Sequence, residues 1–181
     1  MGEVSFGAMN LKISKKEVEE RVSEALEAMD LLNLKNRAPH YLSGGEKKRV
    51  TIADILAMKP EIILFDEPSA ALDPINCDML EDTLNNISNQ GITMLISTHD
   101  VDFAYRWADR IIVFCNGKII CDDIPENVFN NIEILNRANL KAPILLELYK
   151  ELTINSIIKD EKVFPKTLKE LKKIIEYNKI E

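Results

Sequence analysis

Two short apolar runs and the helix between them constrain the fold more than any other part of this sequence. Ile62-Ile63-Leu64-Phe65 follows Pro60, contains no polar residue, and gives way at once to Asp66-Glu67-Pro68. A short run without alternation reads as a strand buried on both faces, and such strands belong to parallel sheets covered by helices. Asp73-Pro74 supplies an N-cap and an N1 proline for a helix through Met79, Leu80, Leu84 and Ile87, and Gly91 ends it before a second strand over Ile92 to Ser97. The unit is β-α-β, and a parallel crossover brings both strand C-termini to one edge. Asp66 and Glu67 leave the first strand there, and Ser97-Thr98-His99-Asp100 leaves the second.

The flanks are mostly helical. Ser14-Lys15-Lys16-Glu17 is a capping box ahead of an apolar face at Val18, Val22, Leu26, Met29 and Leu32. Pro39 closes the following loop. A second box, Ser43-x-x-Glu46, opens a helix with Val50, Ala53, Leu56 and Ala57 inward. Beyond the second strand come a helix over roughly Val101 to Ala108 and a hairpin whose strands, Ile111-Ile112-Val113-Phe114 and Lys118-Ile119-Ile120, flank an Asn116-Gly117 turn. From Pro125 the pattern is helical, at Val128, Phe129, Ile132 and Leu135, then Ile144, Leu145, Leu148 and Leu152, then Leu168, Leu171, Ile174 and Ile175. The expected fold class is α/β, with a parallel sheet, a small β-hairpin and C-terminal helices. A boundary is placed after residue 124, giving 1–124 and 125–181.

Three places carry candidate chemistry. At Tyr41-Leu42-Ser43-Gly44-Gly45-Glu46 the first turn of a helix offers unpaired N–H groups and a positive dipole end, and two glycines let an oxyanion approach the backbone. A phosphate fits, although Ser43 and Glu46 are equally able to cap the helix and nothing more, with Lys47, Lys48 and Arg49 as a solvated face. Asp66 and Glu67 stand where open α/β sheets bind ligands: Asp66 is suited to hold Mg²⁺ alongside phosphate oxygens, and Glu67 to take a proton from an attacking water. The ordinary alternative is a strand ending in solvated acids. His99 emerges at the same edge, as a donor to a terminal phosphate or as a structural histidine.

Composition narrows the classes. A net charge of −7, from 23 basic and 30 acidic residues, argues against a chain that coats nucleic acid. The three cysteines have no Cys-x-x-Cys spacing, so reduced thiols are expected rather than a disulfide framework or zinc site. No signal peptide or membrane span is expected from the apolar runs.

The order Leu42-Ser43-Gly44-Gly45-Glu46, Ile62 to Pro68, Ser69-Ala70-Ala71-Leu72-Asp73-Pro74 and Ser97 to Asp100 resembles the second half of an ABC-type ATPase nucleotide-binding domain. The resemblance covers residues 1 to about 150. It implies a P-loop NTPase-like fold, with Leu42 to Glu46 as the signature motif, Asp66 and Glu67 as Walker B, Asp73 closing the D-loop and His99 as the switch histidine. Glu3 to Ser14, Ile124 to Phe129 and Arg137 to Pro143 are similar to ATPase subunits of energy-coupling-factor and cobalt-type importers. That group implies ATP and Mg²⁺ as cofactors, and a peripheral location on the cytoplasmic face of the membrane. It also implies three partners: a second ATPase subunit, an integral coupling protein and a substrate-binding membrane subunit. Cobalt or nickel is the implied cargo, with vitamins the main competitor.

The family's P-loop has no counterpart in the sequence. The one G-x-x-x-x-G, Gly2 to Gly7, is followed by Ala8-Met9 where Lys-Ser/Thr is required. The N-terminal part of the domain is expected to be absent, as in a fragment, a split subunit or a shortened gene, and the chain alone is expected to turn over little ATP. The alternative is a non-hydrolytic pseudo-subunit that completes the ATP site of an intact partner. A role in DNA repair or translation fits poorly, because such relatives carry coiled-coil insertions and basic surfaces.

Overall fold

The computed structural model describes residues 2–70, 72–159 and 163–178. Its contacts divide the chain into two compact units, one ending at Ser97 and the next opening at Thr98. The division falls well before residue 124, because the hairpin shares a core with the helices after it: Val113 of the hairpin packs with Val128 and Ile134.

The first unit opens with α1 (Gly2–Met9), α2 (Lys15–Ala28) and α3 (Gly44–Ala57), which pack on one another. Val4 and Ala8, Val22 and Leu26, and Ala53 and Ala57 meet in its core, all at most 2% exposed. Ile52 is buried on α3 where Val50 was expected. Gly2 and Gly7 lie within α1, a helix rather than a phosphate-cradling loop. Ser14 caps α2 by accepting from Glu17 N at 3.2 Å, but the Glu17 carboxylate takes Arg21 at 2.6 Å, so the expected reciprocal bond gives way to an ion pair within α2.

The β-α-β unit follows as β1 (Ile62–Asp66), α4 (Pro74–Asn89) and β2 (Thr93–Ser97). The strands are parallel in the expected sense, with Leu64 opposite Leu95 and Asp66 opposite Ser97. Asp73 caps α4, and Leu80, Leu84 and Ile87 are buried beneath it, while Met79 is 40% exposed. One expectation is corrected. Ile63 is 3% exposed, but Ile62 and Leu64 on the opposite face are 62% and 70% exposed, so β1 is not buried on both faces. The two strands form a two-stranded sheet among the described residues, and one of its faces has no covering layer.

The second unit comprises α5 (Val101–Trp107), the hairpin β3 (Ile111–Cys115) and β4 (Lys118–Asp123), α6 (Pro125–Asn130), α7 (Ile132–Ala138), α8 (Ile144–Ile154) and α9 (Leu168–Asn178). Asn116 and Gly117 take positive φ, 49° and 74°, as a tight two-residue hairpin turn requires. Tyr105, Phe129, Leu135 and Leu146 form one core cluster, and Tyr149, Ile158 and Leu171 another. Of the C-terminal stripes, Val128, Phe129, Leu135 and Leu171 are buried as expected, whereas Ile132, Ile144 and Leu168 are exposed and Ile134, Leu146 and Tyr149 are buried. No helix among the described residues is long and apolar enough to cross a membrane.

Candidate functional site

In the first unit the start of α3 meets the start of α4, and Lys48, a turn into α3, is bonded to the segment that follows β1. At the α3 start both halves of the capping box form. Ser43 Oγ accepts from Glu46 N at 3.2 Å, and Ser43 N donates to Glu46 Oε2 at 2.6 Å. The Ser43 N–H holds the Glu46 carboxyl below its usual range, helped by the Ser43 hydroxyl and, more weakly, by Arg37 and Arg49. Glu46 is thus spent on the cap, with its other oxygen 3.9 Å from Arg37 Nη1.

The two glycines differ. A Cβ on Gly44 would meet nothing within 4 Å, whereas one on Gly45 would lie 2.0 Å from Asn76 Oδ1. Gly44 therefore presents open backbone at the helix start, where the first N–H groups lack intrahelical acceptors. Gly45 is buried, and its missing side chain lets α4 approach. Asn76 is fixed there by Asp73, whose Oδ1 accepts from Asn76 N at 2.9 Å and Oδ2 from Asn76 Nδ2 at 2.7 Å. Those two bonds, the backbone one first, hold the Asp73 carboxyl below its usual range. Ser43, Gly44, Gly45, Glu46 and Asp73 are in this way brought into one neighbourhood.

At the end of β1, Asp66 is exposed and accepts from Ser97 Oγ at 2.5 Å. Glu67 is half-buried in the left-handed region at φ 45°, and its N–H donates to Ser97 O at 3.0 Å. A non-glycine residue there carries a conformational cost that its surroundings must hold. His99 is exposed in the loop that opens the second unit, two residues beyond Ser97, and Asp100 after it caps α5 by accepting from Phe103 N at 3.0 Å. Within the D-loop stretch, Ala71 lies outside the described residues.

Sequence reasoning missed three contributors. Ser97 becomes visible once the strands are registered, because it falls opposite Asp66. Asn76 sits at N3 of a helix capped by Asp73, where side-chain bonding to the cap is ordinary, but its approach to Gly45 is a tertiary contact without a local signal. Lys48 was read as part of a solvated face. It is half-buried and donates to the Pro68 and Ala70 carbonyls, the latter at 2.8 Å.

A family model described as "ABC transporter" matches residues 3–70. An energy-coupling factor transporter ATP-binding protein EcfA2 of Methanospirillum hungatei is 46% identical over 176 residues, covering 97% of this chain and 44% of that protein. An energy-coupling factor transporter ATP-binding protein EcfA of Methanocaldococcus jannaschii is 47% identical over 141 residues, covering 78% of this chain and 50% of that protein. The chain spans about half the length of these curated relatives. Among solved structures, cbiO1 of Clostridium perfringens, described as part of the ABC transporter complex cbiONQ, superposes with a TM-score of 0.66 at 37% identity, over 81% of this chain and 59% of that one. The fold is α/β, of the kind found in ABC ATP-binding domains. By motif order, sequence identity and fold, the chain belongs to the ABC transporter family, among its ATP-binding proteins.

Proposed function

We propose that this chain works as an ATP-binding subunit of an energy-coupling-factor type importer and supplies the half of an ATP site that faces the γ-phosphate. The observation that carries the reading is the start of α3. An exposed capped serine and an open Gly44 stand at a helix N-terminus that is held against the Asp73 turn. In this reading Ser43 donates to a terminal phosphate oxygen, and the N–H groups of Gly44 and Gly45 receive its charge. Glu67 is read as the acceptor of an attacking water's proton, and His99, from the resemblance of its stretch alone, as the switch histidine.

Mg²⁺ fits the donor set. No group of three or more His, Cys, Asp or Glu among the described residues is arranged to hold a metal. Asp66 offers a single exposed carboxylate, and Mg²⁺ is commonly held by one or two carboxylates with substrate phosphates completing its shell. When bound, the ion neutralises charge on the phosphates. Asp66 would hold it, with Ser97 fixing one Asp66 oxygen.

The sequence has no G-x-x-x-x-G-K-[ST], and in this reading Ser43 meets an ATP whose β-phosphate is gripped by the P-loop of a second ATP-binding subunit. The relatives' names, transporter ATP-binding proteins and a part of the complex cbiONQ, support further transporter subunits as partners; the same reading takes membrane subunits among them, a peripheral position on the cytoplasmic face, and a transition-metal ion such as cobalt as cargo. A non-hydrolytic version of this role, in which the chain only completes a partner's site, also fits the capped Ser43 and open Gly44 at the α3 start.

The test is ATP hydrolysis by the chain mixed with a P-loop-bearing ATP-binding subunit of the same family. Turnover is expected in the mixture and not in the chain alone, and Ser43→Arg should abolish the stimulated part. Glu67→Gln should lower kcat by roughly 10²- to 10⁴-fold if this chain supplies the base, and leave it unchanged in the non-hydrolytic role. Full activity with Ser43→Arg would refute both versions.

A further inference from the structure

Within the second unit, the start of α8 is tied back to the helix that follows His99. α8 opens after Pro143, whose side chain makes no cap. The N–H of Ile144, at its first position, donates instead to Asp102 Oδ1 at 2.7 Å, across 42 residues of sequence. Asp102 lies in the first turn of α5. Its carboxylate therefore serves two helix starts at once, where unpaired N–H groups and the positive dipole end favour a negative charge. The bond is one of three in series. Asp100 N donates to Thr98 Oγ1 at 3.1 Å, Asp100 Oδ1 accepts from Phe103 N at 3.0 Å, and Asp102 then takes Ile144 N. His99 sits inside the first of these links. Behind them, Val101, Ala104 and Tyr105 of α5 share a core cluster with Leu146 of α8. At seven residues α5 is too short to hold a direction by its own backbone bonds, so what it is fastened to sets it.

We propose that Asp102 is a positioning residue: it fastens the α5 start to α8, so that the C-terminal helices set the orientation of the loop that carries His99. The functional part of this rests on the role read above for His99; the mechanical part does not. A carboxylate bond to a backbone N–H is charge-assisted and directional, and fixes both partners. The C-terminal helices thereby act on the His99 loop through α5, without lending it a side chain of their own.

Ile144→Pro isolates the bond. Proline is well accepted at the first position of a helix and lacks the N–H. Pro143 already has the extended backbone, ψ 140°, that a following proline requires. The Ile144 side chain is 69% exposed, so the core contacts of α8 stay. The sequence has two histidines, and His40 lies in the first unit, so the NMR signals of the imidazoles read the His99 loop on the full chain with an internal control. Ile144→Pro and Asp102→Ala should both shift the His99 signal and leave that of His40 as in the wild type. Asp102→Asn keeps an acceptor oxygen and should return the His99 signal towards the wild-type position. The Ile144 amide itself should exchange about tenfold faster in Asp102→Ala, the loss expected for one charge-assisted bond. An unmoved His99 signal in Ile144→Pro would overturn the proposal, as would an unchanged Ile144 exchange rate in Asp102→Ala. In the mixture with a P-loop-bearing subunit, Ile144→Pro should lower kcat about tenfold at an unchanged KM for ATP, as expected for a displaced reacting group. An unaltered kcat in a variant whose His99 signal has moved would overturn the positioning role. If His99→Ala leaves the turnover of the mixture unchanged, the role read for His99 fails, and the imidazole signals alone decide whether Asp102 holds the loop.

Discussion

Gly44 and Gly45 are adjacent and chemically identical, yet the structure gives them opposite sensitivities. Gly45→Ala would put a methyl 2.0 Å from Asn76 Oδ1, and Asn76 cannot retreat without giving up its bond to Asp73. A loss of about 1–3 kcal/mol is expected, the usual range for overpacking a close contact. Gly44→Ala meets nothing within 4 Å and should be neutral or stabilising by up to about 1 kcal/mol, because it reduces the freedom of the unfolded chain. Paired denaturant titrations of the two variants check the contrast. Acid sensitivity belongs to this scale as well. Glu46 and Asp73 are both held below their usual ranges by hydrogen bonds at helix starts. Their contribution to stability is therefore complete above the unfolded-state carboxylate range and is lost as pH falls through the lower folded-state values. Asp73→Asn keeps a good N-cap, so it should melt near wild type at neutral pH and show a flatter decline below pH about 4. The decline is small in either case, since Asp73 is exposed and Glu46 only half-buried.

Secondary-structure elements were legible where local chemistry decides them. The Ser43 capping box, the Asp73-Pro74 helix start and the Asn116-Gly117 turn all formed as their residues dictate. The inward face of α8 was only partly legible, because Ile144-Leu145-Leu146 is apolar at successive positions, and tertiary packing decides that Leu146 turns inward. The strand β1 shows both sides of this. Its type and direction were readable from four consecutive apolar residues, but its burial depends on covering layers, and a local pattern cannot report whether those are present. The two faces of β1 should accordingly respond differently to substitution. Ile63→Ala should destabilise by about 2–4 kcal/mol, as for other buried aliphatic truncations. Leu64→Glu, at a position 70% exposed, should leave the melting temperature of the isolated chain unchanged while reducing self-association. An open sheet face lined by Ile62, Leu64 and Leu95 is the kind of surface through which chains associate. Thermal melts and sedimentation velocity of the two variants separate these effects.

At the scale of the whole molecule, the motif order was readable in the sequence and the division into units was not. The residues read as signature, Walker B and D-loop all fall in the unit ending at Ser97, whereas His99 falls in the next. The sequence pattern suggested a break at 124 because strands give way to helices there, while the structure groups elements by shared core. In the proposed function, the Ser43 helix start meets a γ-phosphate held by another chain. The most direct measurement is nucleotide-dependent association of this chain with a P-loop-bearing ATP-binding subunit, using a non-hydrolysable ATP analogue and ADP in parallel. Association at least about tenfold tighter with the ATP analogue than with ADP is predicted, the gain expected from charge-assisted contacts to one phosphate group. Ser43→Arg should abolish that difference. Equal association with both nucleotides, or a preference for the ATP analogue that survives Ser43→Arg, would contradict the account.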